Sequence, residues 1–100
     1  MKQDIFTQYA ELVCDVFEIS EADLFKKSKK RDLVDARQLL YYLCHKRPLR
    51  IGYIQKYMCD NGYDITHSTI IHGINIVADK VANDSDYVKM ISKMEKAVSL

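Results

Sequence analysis

The tetrad Thr66-His67-Ser68-Thr69 puts three hydroxyls and an imidazole on four consecutive residues. Ser and Thr hydroxyls donate to or accept from base edges, and a Thr methyl can touch the methyl of thymine. His67 can donate to guanine or to a phosphate oxygen. If the tetrad opens a helix, the free backbone N–H groups of the first turn add a place for a phosphate. The plainer reading is that Thr66 is an ordinary N-cap and the rest is polar surface. A second candidate is Lys26-Lys27-Ser28-Lys29-Lys30-Arg31, a run with no apolar residue. A loop of this kind follows a phosphate backbone or enters a narrow minor groove. Arg37 and Gln38 form a third candidate, because Arg37 falls off the apolar stripe of its helix. Arginine suits phosphate or guanine, and glutamine suits adenine or phosphate. A solvated polar face is the plain alternative for both.

Other reactive residues are poorly arranged for chemistry. His67 and His72 are five apart, a worse pair than the i, i+4 spacing of zinc helices, and Cys59 brings no fourth ligand. No metal is expected. His72 reads instead as partly buried and hydrogen-bonded near the preceding helix. Cys14 and Cys44 fall on apolar stripes and read as core thiols. No oxyanion-hole or base-orienting pattern accompanies a Cys or His, so no enzyme is expected. Met90 and Met94 stand at helical spacing and read as core or partner contacts. Gly73 inside a helix costs about 1 kcal/mol against Ala, which implies close approach of another helix.

Charge is segregated along the chain. The formal net charge is +1. Residues 1–25 set Lys2 against Asp4, Glu11, Asp15, Glu18, Glu21 and Asp23. Residues 26–50 set nine cations, among them the five of the Lys26–Arg31 run and Arg37, against Asp32 and Asp35. One quarter of the sequence thus holds positive charge that the rest cancels, which suggests a face for a polyanion. One hundred residues make one small domain, and three glycines and one proline disfavour turn-rich β folds and linkers. Three widely spaced cysteines suit a reduced, cytosolic chain better than a disulfide scaffold. The N-terminus lacks the unbroken apolar run of a signal peptide, and no stretch is apolar for long enough to span a membrane.

These residues must be positioned by helices. Ile5, Tyr9, Leu12, Val13, Val16 and Phe17 recur at three- and four-residue steps. Ser20 starts a capping-box pattern that leads into a short helical turn anchored by Leu24 and Phe25. A long helix is predicted from about Asp32 to Arg47, ended by Pro48. A shorter one follows from Arg50 to Met58, with Ile51, Ile54 and Met58 inward. Cys59 to Asp64 contains Asn61-Gly62, a strong turn dipeptide. Thr66 or Asp64 can cap the next helix, which runs from about His67 to Asn83 with an apolar stripe of Ile70, Ile71, Ile74, Val77, Ala78 and Val81. A last helix carries Val88, Ile91, Met94 and Val98. A short helix, a turn and a longer helix opening on the tetrad follow helix-turn-helix logic, with the second helix aiming its N-terminus at the major groove.

The stretch from Ile19 to about Val77 resembles the C-terminal DNA-binding domain of the bacterial chromosomal replication initiator family, DnaA. The resemblance rests on Ala22-Asp23-Leu24-Phe25, the basic loop, Ala36-Arg37-Gln38 with Tyr42-Leu43, and His67-Ser68-Thr69-Ile70-Ile71-His72-Gly73. It implies that Lys29 enters the minor groove and that Arg37 and Gln38 fix the long helix on the backbone. It also implies that His67, Ser68 and Thr69 read base edges. Three departures stand out. Thr66 replaces the family's acidic residue, Cys59 to Ile65 replaces a tight turn, and Ile54-Gln55 replaces an Ile-Gly pair. The family's ATPase loop, G-x-x-x-x-G-K-[ST], is absent from this chain.

The expectation is therefore one all-α domain over residues 1–100, a bundle of five to six helices containing a helix-turn-helix. It is expected to be a stand-alone module that binds double-stranded DNA sequence-specifically, in replication or transcription control. Lys27, Lys29, Lys30, Arg31, Arg37, Gln38, Thr66, His67, Ser68 and Thr69 are its contacts. No cofactor, nucleotide or membrane is expected, and the location is cytoplasmic, on the nucleoid. A replication protein or self-association completes the partner set. The rival function is a protein-interaction module, docking through the acidic first helix and the Met-bearing last one.

Overall fold

A computed structural model describes residues 2–98; Met1, Ser99 and Leu100 of the expected domain lie outside the described residues. Six helices follow one another with no strand among the described residues: α1 (Lys2–Phe17), α2 (Glu21–Leu24), α3 (Arg31–Lys46), α4 (Ile51–Asp60), α5 (His67–Asn83) and α6 (Ser85–Ala97). No helix among them is long and apolar enough to cross a membrane.

The core is built around α3, which buries Leu33, Ala36, Leu39, Leu40, Tyr41, Leu43 and Cys44. α1 covers one side with Phe6, Tyr9, Ala10 and Val13. This stripe is rotated from the expected one, and Val16 is left 46% exposed. Phe6 stacks near Phe25 and Tyr57, with ring centroids at 6.3 and 5.4 Å. It thereby joins α1 to the residue after α2 and to α4. Ser20 caps α2 as its sequence implies, its hydroxyl accepting from the Asp23 N–H at 3.1 Å.

α5 crosses α3 at Gly73. A Cβ there would meet Tyr41 Cδ2 at 3.0 Å and Gln38 Cγ at 3.1 Å, so the helical glycine marks a close approach, as expected. α5 buries Ile70, Gly73 and Val77. Ile71 and Ala78, expected inward, are exposed, because the contact with α3 is centred on the Ile70-Gly73-Val77 line. Val88 of α6 is likewise 47% exposed, while Ile91, Met94 and Val98 close the bundle.

α4 extends two residues past Met58 and ends in a Schellman motif. Tyr63 N–H donates to the Met58 carbonyl at 2.9 Å, and Gly62 N–H to that of Cys59 at 2.9 Å. Gly62 takes the left-handed conformation this requires, with φ of 86°.

The two buried thiols make the bundle sensitive to alkali. Burial, with the Glu21 and Asp15 charges added, pushes Cys14 up from 9.0 to about 11. Burial alone raises Cys44. An unfolded chain releases these protons first, so the native state holds more protons above pH 9. The denaturation midpoint should therefore be insensitive to both thiols at pH 6–8 and fall from about pH 9 to 11. Exposed Cys59 should be the first thiol alkylated in the native protein.

Candidate nucleic-acid interface

The basic loop between α2 and α3 is shaped from inside by Arg37. Its guanidinium donates to the carbonyls of Leu24 at 2.7 Å, Ser28 at 2.8 Å, Asp23 at 3.3 Å and Lys26. A planar fork of donors suits this task, since it reaches several carbonyls at once, of which only that of Asp23 also accepts a backbone N–H, from Lys26 at 3.2 Å. The residue is 3% exposed. The sequence reading of Arg37 as a surface residue is thus corrected. It stands four residues after Leu33, three before Leu40 and seven before Cys44, on the buried stripe of α3 itself and under the loop, and its donors are spent on the backbone rather than turned outward.

Tyr63 holds the loop from above. Its ring takes two cations, Lys27 Nζ at 4.1 Å and Arg37 Cζ at 4.7 Å from the centroid. Lys27 Nζ also donates to the Asp64 carbonyl. Lys27 is therefore committed to the α4–α5 turn rather than free in solution. The turn is anchored on its other side by Gln55, whose amide donates to the Ile65 carbonyl at 2.8 Å. The longer turn thus ties the basic loop to the start of α5. Sequence reasoning missed Tyr63 and Gln55; the one available signal was an aromatic residue within an otherwise polar turn.

The remaining predicted residues divide by place. Thr66 is the N-cap of α5, its hydroxyl accepting from the Thr69 N–H at 3.2 Å. Thr69 Oγ1 lies 3.0 Å from Thr66 Oγ1. His67 and Ser68 are exposed on the first turn. Lys29, Gln38 and Thr69 come together on the wall of one groove of about 490 Å³, floored by Tyr41 and Tyr63. His72 lines it too and is exposed, contrary to the expected partial burial. Lys30 turns toward a neighbouring hollow with Lys26, Asp23 and Asp32. Arg31 is open to solvent, 3.7 Å from Asp35.

The electrostatics around α3 are informative. Its N-cap is Lys30, which makes no side-chain cap bond, and the first residue is Arg31. Lysine and arginine at the positive end of a helix dipole are unfavourable by some tenths of a kcal/mol each, only partly offset by Asp32. Local rules of this kind are broken where function requires it. A helix end with no side-chain cap and with Lys30 and Arg31 at it suits a bound anion.

α4, the turn after it and α5 form a helix-turn-helix that known proteins share. The family described as bacterial dnaA protein helix-turn-helix matches residues 8–77. This chain belongs to that family. DnaA relatives extend the likeness beyond the matched segment. The chromosomal replication initiator protein DnaA of Chlorobaculum tepidum is 28% identical over 99% of this chain and 20% of its own length. That of Leptospira biflexa is 26% identical over 89% of this chain and 19% of its own. That of Flavobacterium psychrophilum is 26% identical over 100% of this chain and 20% of its own. The chain thus spans about one fifth of these DnaA proteins, and α6 lies within the aligned part although the family match ends in α5.

Proposed function

We propose that this chain binds double-stranded DNA in a sequence-specific way, acting as a binding module and not as an enzyme. One observation carries the reading. Lys29 of the cationic loop and Thr69 of the α5 tip line a single groove, so both regions face the same side of the bundle. In this arrangement α5 enters the major groove with His67 and Ser68 at base edges. Lys29, Lys30 and Arg31 lie along the adjoining backbone, with Lys29 nearest the minor groove. Thr66 and Thr69 serve chiefly to order the helix start, since their hydroxyls face each other. Gln38 stands beside the duplex from α3. Membership of the DnaA family supports a role in replication or transcription control, on the nucleoid.

Four loop cations are free of the Tyr63 clamp: Lys26, Lys29, Lys30 and Arg31. If each meets a phosphate, log K falls against log salt with a slope of about −3.6. Selection from a random duplex pool, followed by anisotropy titrations on the winning site, tests this. Ser68→Ala should relax discrimination at one base pair by about 1–3 kcal/mol and leave the salt slope unchanged. A flat salt dependence, or no enriched site, would overturn the proposal.

A further inference from the structure

We propose that the face formed by the end of α1 and by α6 joins two copies of this chain. A groove of about 670 Å³ opens there, lined by Val16, Val88, Met90 and Met94 with Lys89 and Lys93 on its rim. Val16 and Val88 are two of the large apolar residues left substantially exposed. A single exposed valine is ordinary, but two on the edge of one apolar hollow form a patch.

The charges around this patch say what covers it. Lys89, Lys93 and Lys96 are exposed and make no ion pair with a described residue. Glu11, Asp15 and Glu18 on and just after α1 are exposed and equally without such a partner. Asp15 adjoins Val16, and Glu11 is one turn further back. One molecule therefore offers unpaired acids on and just after α1 near Val16, an apolar hollow, and lysines of α6 lining that hollow. A surface of that kind is complementary to itself. In a two-fold pair each contact occurs twice. Val88 of one copy enters the hollow of the other, and the α1 acids of each copy meet the α6 lysines of its partner.

The pairing leaves the DNA-facing groove open. α6 packs on the far part of α5, and Thr69 and Val81 are about 18 Å apart along that helix at 1.5 Å per residue. Two reading helices would then be carried by one particle, which a single short reading helix otherwise lacks. The dimer itself needs no DNA, so it stands apart from the proposed function.

Sedimentation equilibrium of the whole chain tests the pairing. A concentration-dependent dimer weakened by salt is expected. Val88→Asp should weaken it roughly tenfold or more while leaving the melting temperature and the affinity for a one-site duplex unchanged. The pair Lys89→Glu, Lys93→Glu should fail to dimerise alone, as should Glu11→Lys, Asp15→Lys. Mixed together, the two variants should form a heterodimer, because both reversed sets then meet their opposites. A chain that stays monomeric to its solubility limit would overturn the proposal. So would a dimer indifferent to Val88→Asp, or a monomer that uses this face only to bind anionic vesicles.

Discussion

Arg37→Ala unfolds the chain more easily, lowering stability by on the order of 3 kcal/mol. The substitution takes the guanidinium away from four carbonyls, those of Leu24, Ser28, Asp23 and Lys26, of which Asp23 keeps the Lys26 N–H. It also removes the cation under the Tyr63 ring. A hydrogen bond to a charged group contributes about 1.5–3 kcal/mol, and the four do not add, because water reaches the freed loop once it opens. At 4–8 °C per kcal/mol for a domain of this size, the melting temperature falls by roughly 12–24 °C. Arg37→Lys recovers less than half of the loss, since one ammonium cannot span the fork of carbonyls. Thermal melts of both variants, with salt titrations of DNA binding by the lysine variant, check this. A surface arginine on a phosphate behaves the opposite way: it keeps the melting temperature and loses about 0.9 from the salt slope.

Replacing Lys29, Lys30 and Arg31 together by alanine has its large effect on binding instead. Each lost phosphate contact removes about 0.9 from the slope and about eightfold in affinity at 0.1 M salt, so the triple variant loses about 2.7 and roughly 500-fold. The fold does not suffer. All three side chains are exposed, and the Arg31–Asp35 pair at 3.7 Å is a weak surface contact. Removing cations from the positive end of α3 is worth some tenths of a kcal/mol each in its favour. Stability and affinity therefore move in opposite directions. Anisotropy at several salt concentrations and a melting curve on one preparation decide the matter. A triple variant that binds like the parent would remove the loop from the interface.

Much of this was legible in the chain. Helix order came from apolar spacing, and the start of α5 was readable because Thr66 is a cap and the residues beyond it keep a helical period to Asn83. The stop after α4 was readable from Asn61-Gly62, since only glycine takes the backbone angle of a Schellman motif at low cost. The close approach at Gly73 was readable from the cost of glycine in a helix. Burial of individual side chains was less so. Val16, Ile71 and Val88 all match a helical stripe, yet each is exposed. Periodicity defines a face some 100° wide but not the line on it where the neighbouring helix touches.

The candidate site divides in the same way. Residue types alone determined that this chain has a cationic segment and a hydroxyl- and imidazole-bearing helix start, because charge and hydrogen-bonding capacity belong to side chains wherever they lie. Only the tertiary structure decided which of those groups are free to act. Arg37 and Lys27 carry the same charge as Lys29, but carbonyls and an aromatic ring brought in from other segments occupy them. Whether a donor is spent or open depends on acceptors supplied from distant parts of the chain, and no local pattern records how those parts meet.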